Sequence, residues 1–317
     1  MVKLPKVFVV ILNYNSLQDT LLCIESVRKS DYKTFQLLVI DNASLDNSGE
    51  TLSHFLVPDE FVKLPSNRGY AGGNNIGIEI ALERGADYVF IINPDIRIPT
   101  NALSEYVSVM EEGSDIGVLS PLQLESWNGP FDKKFEESVI RQHGIFVSKS
   151  QAARSIFEVS HVLGAALFIR TQALRVVGGF DPLFFAYGEE EDFCRRALSK
   201  GIRIVVTTRA PVVHLRTNEK NFVSDHVLFL RTKGQYLLSL KNHQYPFMVL
   251  MIGVLTKAFM DFLVMSKKRY PFKYYPVTRR HVLHAIAWLL VHAPIIFLHR
   301  RMDLLYAPYL ATPGSIA

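Results

Sequence analysis

The 317-residue chain reads as an α/β protein, a mostly parallel sheet with helices on both faces, followed by a helical region of different character. Three observations predict this. Unbroken apolar runs alternate with helical patterns over the first 120 residues, the early runs each end in polar residues, and the composition changes after residue 215. Continuous apolar runs mark strands buried on both faces, which is the habit of parallel sheets covered by helices.

The elements follow in order. "VFVVIL" (7–12) is the first strand. The lysines before it imitate a signal peptide, but the apolar run is too short and stops at Asn13 without a small-residue cleavage site. "SLQDTLLCIESVRKS" is a helix with a capping-box-like start at Ser16 and Asp19. "FQLLVI" (35–40), "FVKL" (61–64) and "DYVFIIN" (87–93) are further strands, separated by helices near 46–56, 73–84 and 100–112. Residues 121–160 lose the rhythm and read as an irregular excursion. "VLGAALFIR" (162–170) restores a strand, and a helix at 171–177 runs into Gly178-Gly179 and then "FFAYGEEEDFCRR" (184–196). "IRIVVT" (202–207) and "PVVHL" (211–215) read as two short closing strands. Beyond them, apolar helices at 245–265 and 281–299 flank a basic, tyrosine-rich hairpin at 266–280.

Composition narrows the classes. At 49% hydrophobic and 21% charged the chain is not disordered, and Cys23 and Cys194 fit neither a metal nor a redox spacing. Residues 1–194 hold 16 Lys/Arg against 26 Asp/Glu, whereas 195–317 hold 19 against 4. The basic residues of this tail are split by long apolar helices, which suits a lipid surface and not a nucleic acid. The expected organisation is therefore an α/β domain over 1–215 and a basic, aromatic-rich helical region over 216–317, which either associates with a membrane surface or packs as a subdomain on the first.

Ligands of an open parallel sheet bind beyond the carboxyl ends of its strands. Here those ends carry Asn13-Tyr14-Asn15, Asp41-Asn42, Asn67-Arg68-Gly69 and Asn93-Pro94-Asp95. Singly, each has a plain structural explanation as a packing aromatic, a cap or a turn. Together they line one rim. The glycine run "NRGYAGGNNIG" (67–77) can expose backbone N–H groups to a phosphate, but it follows the third strand and matches neither the dinucleotide fingerprint nor a Walker loop.

"VVILNYNS", "VIDNASLDNS", "NRGYAGGNNIG", "FIINPDIRI", "GAALFIR" and "GGFDPLFFAYGEEEDFCRRALSKG", in this order, resemble the inverting family 2 glycosyltransferases, and within them the rhamnosyltransferase-like subgroup. The resemblance spans residues 7–215 and implies a GT-A fold that binds a nucleotide-diphosphate sugar. It implies a donor site built from Asn13, Tyr14, Asp41, Asn67, Arg68, Gly69, Asn74, Asn93 and Asp95. Tyr14 would lie against the base, and Asp41 would accept from base or ribose. Asp95 would hold a divalent cation, Mg²⁺ or Mn²⁺, with His214 as a second metal or diphosphate contact. Asn93 stands where relatives often carry an aspartate, and His214 has the alternative of a buried core histidine.

Inverting transfer is one displacement and needs one general base. Carboxylates crowded beside aromatics have raised pKa values. The resemblance aligns Glu190 with the family's base, with Glu189 and Asp192 as alternatives, while a purely structural reading has the acids offsetting a helix macrodipole. Phe184, Phe185 and Tyr187 would form a sugar-binding wall. The subgroup implies dTDP-L-rhamnose as donor, with a UDP-linked hexose or N-acetylhexosamine as alternative. The implied acceptor is a lipid-linked oligosaccharide of bacterial surface polysaccharide synthesis, at the cytoplasmic face of the membrane. A non-catalytic nucleotide-sugar-binding scaffold is the rival of another class, and the presence of both Asp95 and Glu190 speaks against it.

Overall fold

The computed structural model describes residues 4–145, 155–216, 224–264 and 277–310. The first three strands and their helices are β1 (Val7–Asn13), α1 (Leu17–Arg28), β2 (Phe35–Asp41), α2 (Ser48–Phe55), β3 (Phe61–Lys63) and α3 (Gly69–Glu83). Next come β4 (Tyr88–Ile92), β5 (Ile96–Arg97), α4 (Ala102–Glu111), β6 (Ile116–Leu124) and one turn of helix, α5 (Lys133–Phe135). They are followed by β7 (Ile156–Glu158), β8 (Ala166–Arg170), α6 (Thr171–Val177), α7 (Glu189–Ser199) and the long β9 (Arg203–His214). Three helices close the chain: α8 (Asp225–Leu240), α9 (Phe247–Val264) and α10 (Arg279–Met302).

One sheet runs in the order β3-β2-β1-β4-β8-β6-β9-β5, with β7 on β9. The quartet β3-β2-β1-β4 is parallel throughout, which sets its carboxyl ends on a single rim. Beyond β4 the sheet is mixed, because β8 is antiparallel to both β4 and β6 while β6 and β9 are parallel. All seven residues of β1 are buried, as an unbroken apolar run requires. Phe8, Val10 and Leu12 face α3, α6 and α7, whereas Val7, Val9 and Ile11 face α1, α2 and α4.

Several sequence expectations are revised. The two closing strands are one strand with a left-handed residue, Ala210, at its middle and a register shift against β6. β6 escaped notice because Gly117, Pro121 and Gln123 interrupt its apolar run, and the sheet absorbs Pro121 at that same register shift. Ser16 precedes α1 but makes no side-chain cap to it, and Asp19 pairs with Arg97 at 3.2 Å. The basic hairpin lies outside the described residues except for 277–280.

The closing helices build a core of their own that takes in Phe184. A buried ionic cluster joins this core to α7. Lys241 Nζ pairs with Asp181, and lies 3.2 Å from both Asp192 Oδ2 and Asp303 Oδ1. Arg196 donates to Asp192 Oδ2 at 2.8 Å and to the carbonyls of Val177 and Gly179 at 2.7 Å each. The segment after α10 returns to the first residues of this cluster: Tyr309 donates to Asp303 Oδ1 at 2.6 Å, and Gly179 N donates to Pro308 O at 2.9 Å.

Candidate functional site

A cavity of about 490 Å³ opens at the rim where β1, β2 and β4 end. Its floor is set by backbone register. β5 pairs with β9 so that Ile96 faces His214, and Leu215 N donates to Asp95 O at 3.0 Å. Asp95 and His214 are thereby brought together from positions 119 residues apart, with Oδ2 3.6 Å from Nε2. His214 Nδ1 faces two acceptors, Gln123 Oε1 at 3.1 Å and Asp132 Oδ2 at 3.6 Å. With a proton on Nδ1, Nε2 faces the Asp95 carboxylate, as an N–H donor to it in the bare site and as a lone pair where a cation lies between them. Burial alone would raise the Asp95 carboxyl, but His214 and then Arg216 more than offset it and hold it below the usual range.

A carboxylate and an imidazole lone pair directed at one point fit a divalent cation of borderline character. Among the described residues no group of three or more His, Cys, Asp or Glu side chains could hold a metal. Such an ion would therefore take its other ligands from a bound diphosphate and water.

The opposite wall comes from the loop before α7. Phe185 and Tyr187 both have left-handed backbone, at φ 65° and 73°, and Gly188 follows at φ 105°. The loop is fixed at three points. Ala71 N donates to Phe185 O at 3.1 Å, and Lys233 Nζ donates to the carbonyls of Leu183 and Phe184 at 2.8 Å each. Gly69, at φ +69°, is the third: a Cβ there would stand 2.3 Å from Phe185 O. Burial, opposed by Glu189 and Asp181, pushes the Lys233 ammonium down to about 8.

α7 then presents its first two carboxylates to the cavity. Glu190 lines it, partly open, and accepts from Gly188 N at 3.3 Å. Glu189 also borders the cavity but is buried, and its Oε2 has no hydrogen-bond partner. Burial, then the neighbouring Glu190, pushes the Glu189 carboxyl well above the usual range. Its burial thus favours the protonated form, and the partly open Glu190 is the better placed of the two to receive a proton. Asp192 is placed elsewhere. It is fully buried, held below the usual range because Lys241, Arg196 and Arg195 outweigh its burial, and it does not line the cavity.

The donor residues expected from the sequence divide in two. Tyr14, Asn67, Gly69, Asn93 and Asp95 line the cavity. Asn13, Asp41, Arg68 and Asn74 do not. Asn13 and Asp41 are buried beneath the rim, where Asn13 Nδ2 donates to Asp41 Oδ1 at 2.7 Å and Thr20 donates to Asn13 Oδ1 at 2.7 Å. They hold the rim in shape. Asn74 is buried inside α3 and donates to Tyr70 O at 3.0 Å. Of the aromatic wall, Phe185 and Tyr187 face the cavity, while Phe184 belongs to the core of the closing helices.

Sequence reasoning missed Lys134 and Arg216, which also line the cavity, and placed Asn42 on the rim without counting it among the donor residues. Asn42 sits next to Asp41 and donates to Asn67 Oδ1 at 3.0 Å, so the polar strand end was its signal. Arg216, two residues past His214, chelates Asp132. Lys134 lies in the irregular excursion, where no pattern marks it.

The model of Glycosyl transferase family 2 matches residues 8–177, more than half of the chain. The chain belongs to this family. A low-salt glycan biosynthesis hexosyltransferase, Agl10 of Haloferax volcanii, is 25% identical over 235 residues, 73% of this chain and 74% of its own. A dTDP-rhamnosyl transferase, RfbF of Shigella flexneri, is 24% identical over 224 residues, 65% of this chain and 71% of its own. The fold of this glycosyltransferase is of the GT-A type seen in a Pyrobaculum calidifontis mannosyltransferase solved with GDP-Man and Mn²⁺. The two superpose with a TM-score of 0.57 at 13% identity, over 92% of this chain and 88% of that one. S. aureus TarS, solved with UDP-GlcNAc, gives 0.54 at 16% identity over 94% and 88%.

Proposed function

We propose that this glycosyltransferase is an inverting enzyme. It takes a sugar from a nucleoside-diphosphate donor and passes it to a hydroxyl of a lipid-linked saccharide at a membrane surface. The observation that carries the reading is the opposition of two chemistries across one cavity, Glu190 on α7 against Asp95 and His214 on the sheet. Tyr14 and Asn67 at the ends of β1 and β3 form the side where a nucleoside fits, with Tyr14 half exposed and free to stack.

In the proposed displacement the acceptor oxygen forms a bond to the anomeric carbon as the bond from that carbon to the diphosphate oxygen breaks. The hydroxyl proton passes to the Glu190 carboxylate, and the electron pair leaves with the nucleoside diphosphate. A divalent cation between Asp95 and His214 would neutralise charge on the departing diphosphate. Arg216 and Lys134, in the same cavity, add positive charge on that side. Glu189, whose burial favours its protonated form, would offer a donor to a sugar hydroxyl.

The donor that the RfbF relative supports is dTDP-L-rhamnose, since that relative is a dTDP-rhamnosyl transferase. Apolar side chains turned outward on α9 and α10, among them Ile252, Phe259, Val291 and Leu298, support attachment to a membrane surface. Among the described residues α10 alone is long and apolar enough to cross a bilayer by length and composition. One of its faces packs on α8 through Val282, Ala285 and Leu289, which favours lying along the surface.

Thermal stabilisation by TDP, UDP, GDP and CMP, each with and without Mn²⁺, tests the donor reading. Stabilisation by TDP that requires Mn²⁺ and disappears in Asp95→Ala is the expected result. No stabilisation by any diphosphate in a folded sample would contradict it.

A further inference from the structure

A second cavity, of about 510 Å³, lies between the first turns of α8 and α10. We propose that it holds the phosphate-bearing head of the lipid-linked acceptor, an inference that rests on the lipid-linked-acceptor reading above. His226 lines both this cavity and the catalytic one, so the two share a wall. A saccharide carried on a phosphate in one would extend past His226 towards Glu190 in the other.

The polar side of the cavity is built for an acceptor group. His281 is buried, and its Nδ1 accepts from Thr278 N at 3.0 Å. The imidazole proton therefore sits on Nε2, which has no hydrogen-bond partner and stands 3.5 Å from Asp225 Oδ1. An N–H donor buried without a hydrogen-bond acceptor calls for an oxygen that the protein itself does not supply at bonding distance. Arg280, His284 and His226 surround the same space, and the amino ends of two helices meet there. Asp225 is the one acidic side chain in the lining; it is 74% exposed and only 4.0 Å from Arg280, so it can turn outward to that partner.

The other side is apolar. Phe229, Ala287, Trp288 and Val291 line it. Trp288 is held by His292, stacked on it at 4.0 Å and 12°. Ala287 and Val291 begin a stripe that continues at helical spacing through Ile295 and Leu298, and from Val291 onward its side chains are exposed. Charge at one end and an uncovered apolar track at the other match an isoprenoid or acyl phosphate. Free phosphate matches the polar end alone.

The chain has two tryptophans, Trp127 and Trp288, so Trp127→Phe leaves a single fluorophore inside this cavity. The test titrates farnesyl diphosphate, inorganic pyrophosphate and farnesol into full-length Trp127→Phe protein in EDTA, and measures nucleotide stabilisation of the same protein separately with TDP and Mn²⁺. Farnesyl diphosphate should give a saturable change in Trp288 emission at least tenfold tighter than either other probe. Arg280→Ala or His284→Ala, both exposed substitutions, should weaken it tenfold or more, and Asp225→Asn should tighten it. Equal affinity for inorganic pyrophosphate would overturn the lipid assignment. No Trp288 response, with nucleotide stabilisation intact, would overturn this site and leave the transferase reading standing. Loss of nucleotide stabilisation as well would remove the reading on which the site rests.

Discussion

Lys241 is a fully buried ammonium facing three buried carboxylates, Asp181, Asp192 and Asp303. Burial would lower its pKa, but these partners outweigh burial and raise it. Lys241→Met keeps the aliphatic volume and removes the charge. Asp192 then keeps Arg196 at 2.8 Å and the partly exposed Arg195 at 2.9 Å, and Asp181 retains His299 at 2.8 Å. Breaking a buried ion pair from one side costs about 3–5 kcal/mol. For 317 residues at about 2.1 cal/mol/K each, 1 kcal/mol moves the midpoint by roughly 1.5 °C. The melting temperature should fall by about 5–8 °C, read by differential scanning calorimetry or urea unfolding at neutral pH. The exposed pair Lys29–Glu25 is the internal control, where Lys29→Ala should cost less than about 0.5 kcal/mol. A Lys241→Met loss no larger than that of Lys29→Ala would refute the reasoning, because it would show the cluster to be solvated.

Other consequences follow from the same geometry. Burial raises the Glu189 carboxyl in the folded chain above its unfolded value of about 4.3, so its contribution to stability is fully present below that value and is lost as pH rises through the raised folded value. Glu189→Gln should therefore melt higher than the parent near pH 7.5, with the gap closing towards pH 4; a gap independent of pH would contradict this. Gly69→Ala forces a side chain into left-handed backbone against Phe185, and should cost about 1–3 kcal/mol while disturbing the Glu190 loop. Its transfer rate should fall further than its stability explains, as a comparison of kcat at a temperature well below the melting point would show. Gln123→Leu removes an acceptor that orients His214, and should raise the Mn²⁺ concentration giving half-maximal activity by about 10- to 100-fold.

The parallel quartet of the sheet was legible because β1, β2 and β4 carry apolar runs that nothing interrupts, and their polar ends converge as register demands. What lay hidden depended on contacts distant in sequence. His214 was named only through the resemblance; in the fold it reaches Asp95 because β9 continues through Ala210 to meet the two-residue β5. The glycine run shows the limit of local reading. Its glycines invite a phosphate, yet a Cβ at Gly73 or Gly77 would stand 2.5 or 2.4 Å from Leu12 or Val10, so these two exist to seat α3 on β1. The acidic run is divided in the same way. Sequence groups four carboxylates at the start of α7, whereas Lys241 and Arg196 draw Asp192 into the interior and leave Glu189 and Glu190 at the cavity. Both cations lie beyond the run, Lys241 about 50 residues on in another helix. No local pattern could have made that division.

The central claim is that Glu190 takes the acceptor proton opposite Asp95 and His214. Transfer by Glu190→Gln, measured beside its thermal stabilisation by TDP with Mn²⁺, tests this most directly. The account predicts a fall in kcat of about 10²- to 10⁴-fold with nucleotide stabilisation unchanged. Transfer within a few fold of the parent would contradict it and return the general base to another group.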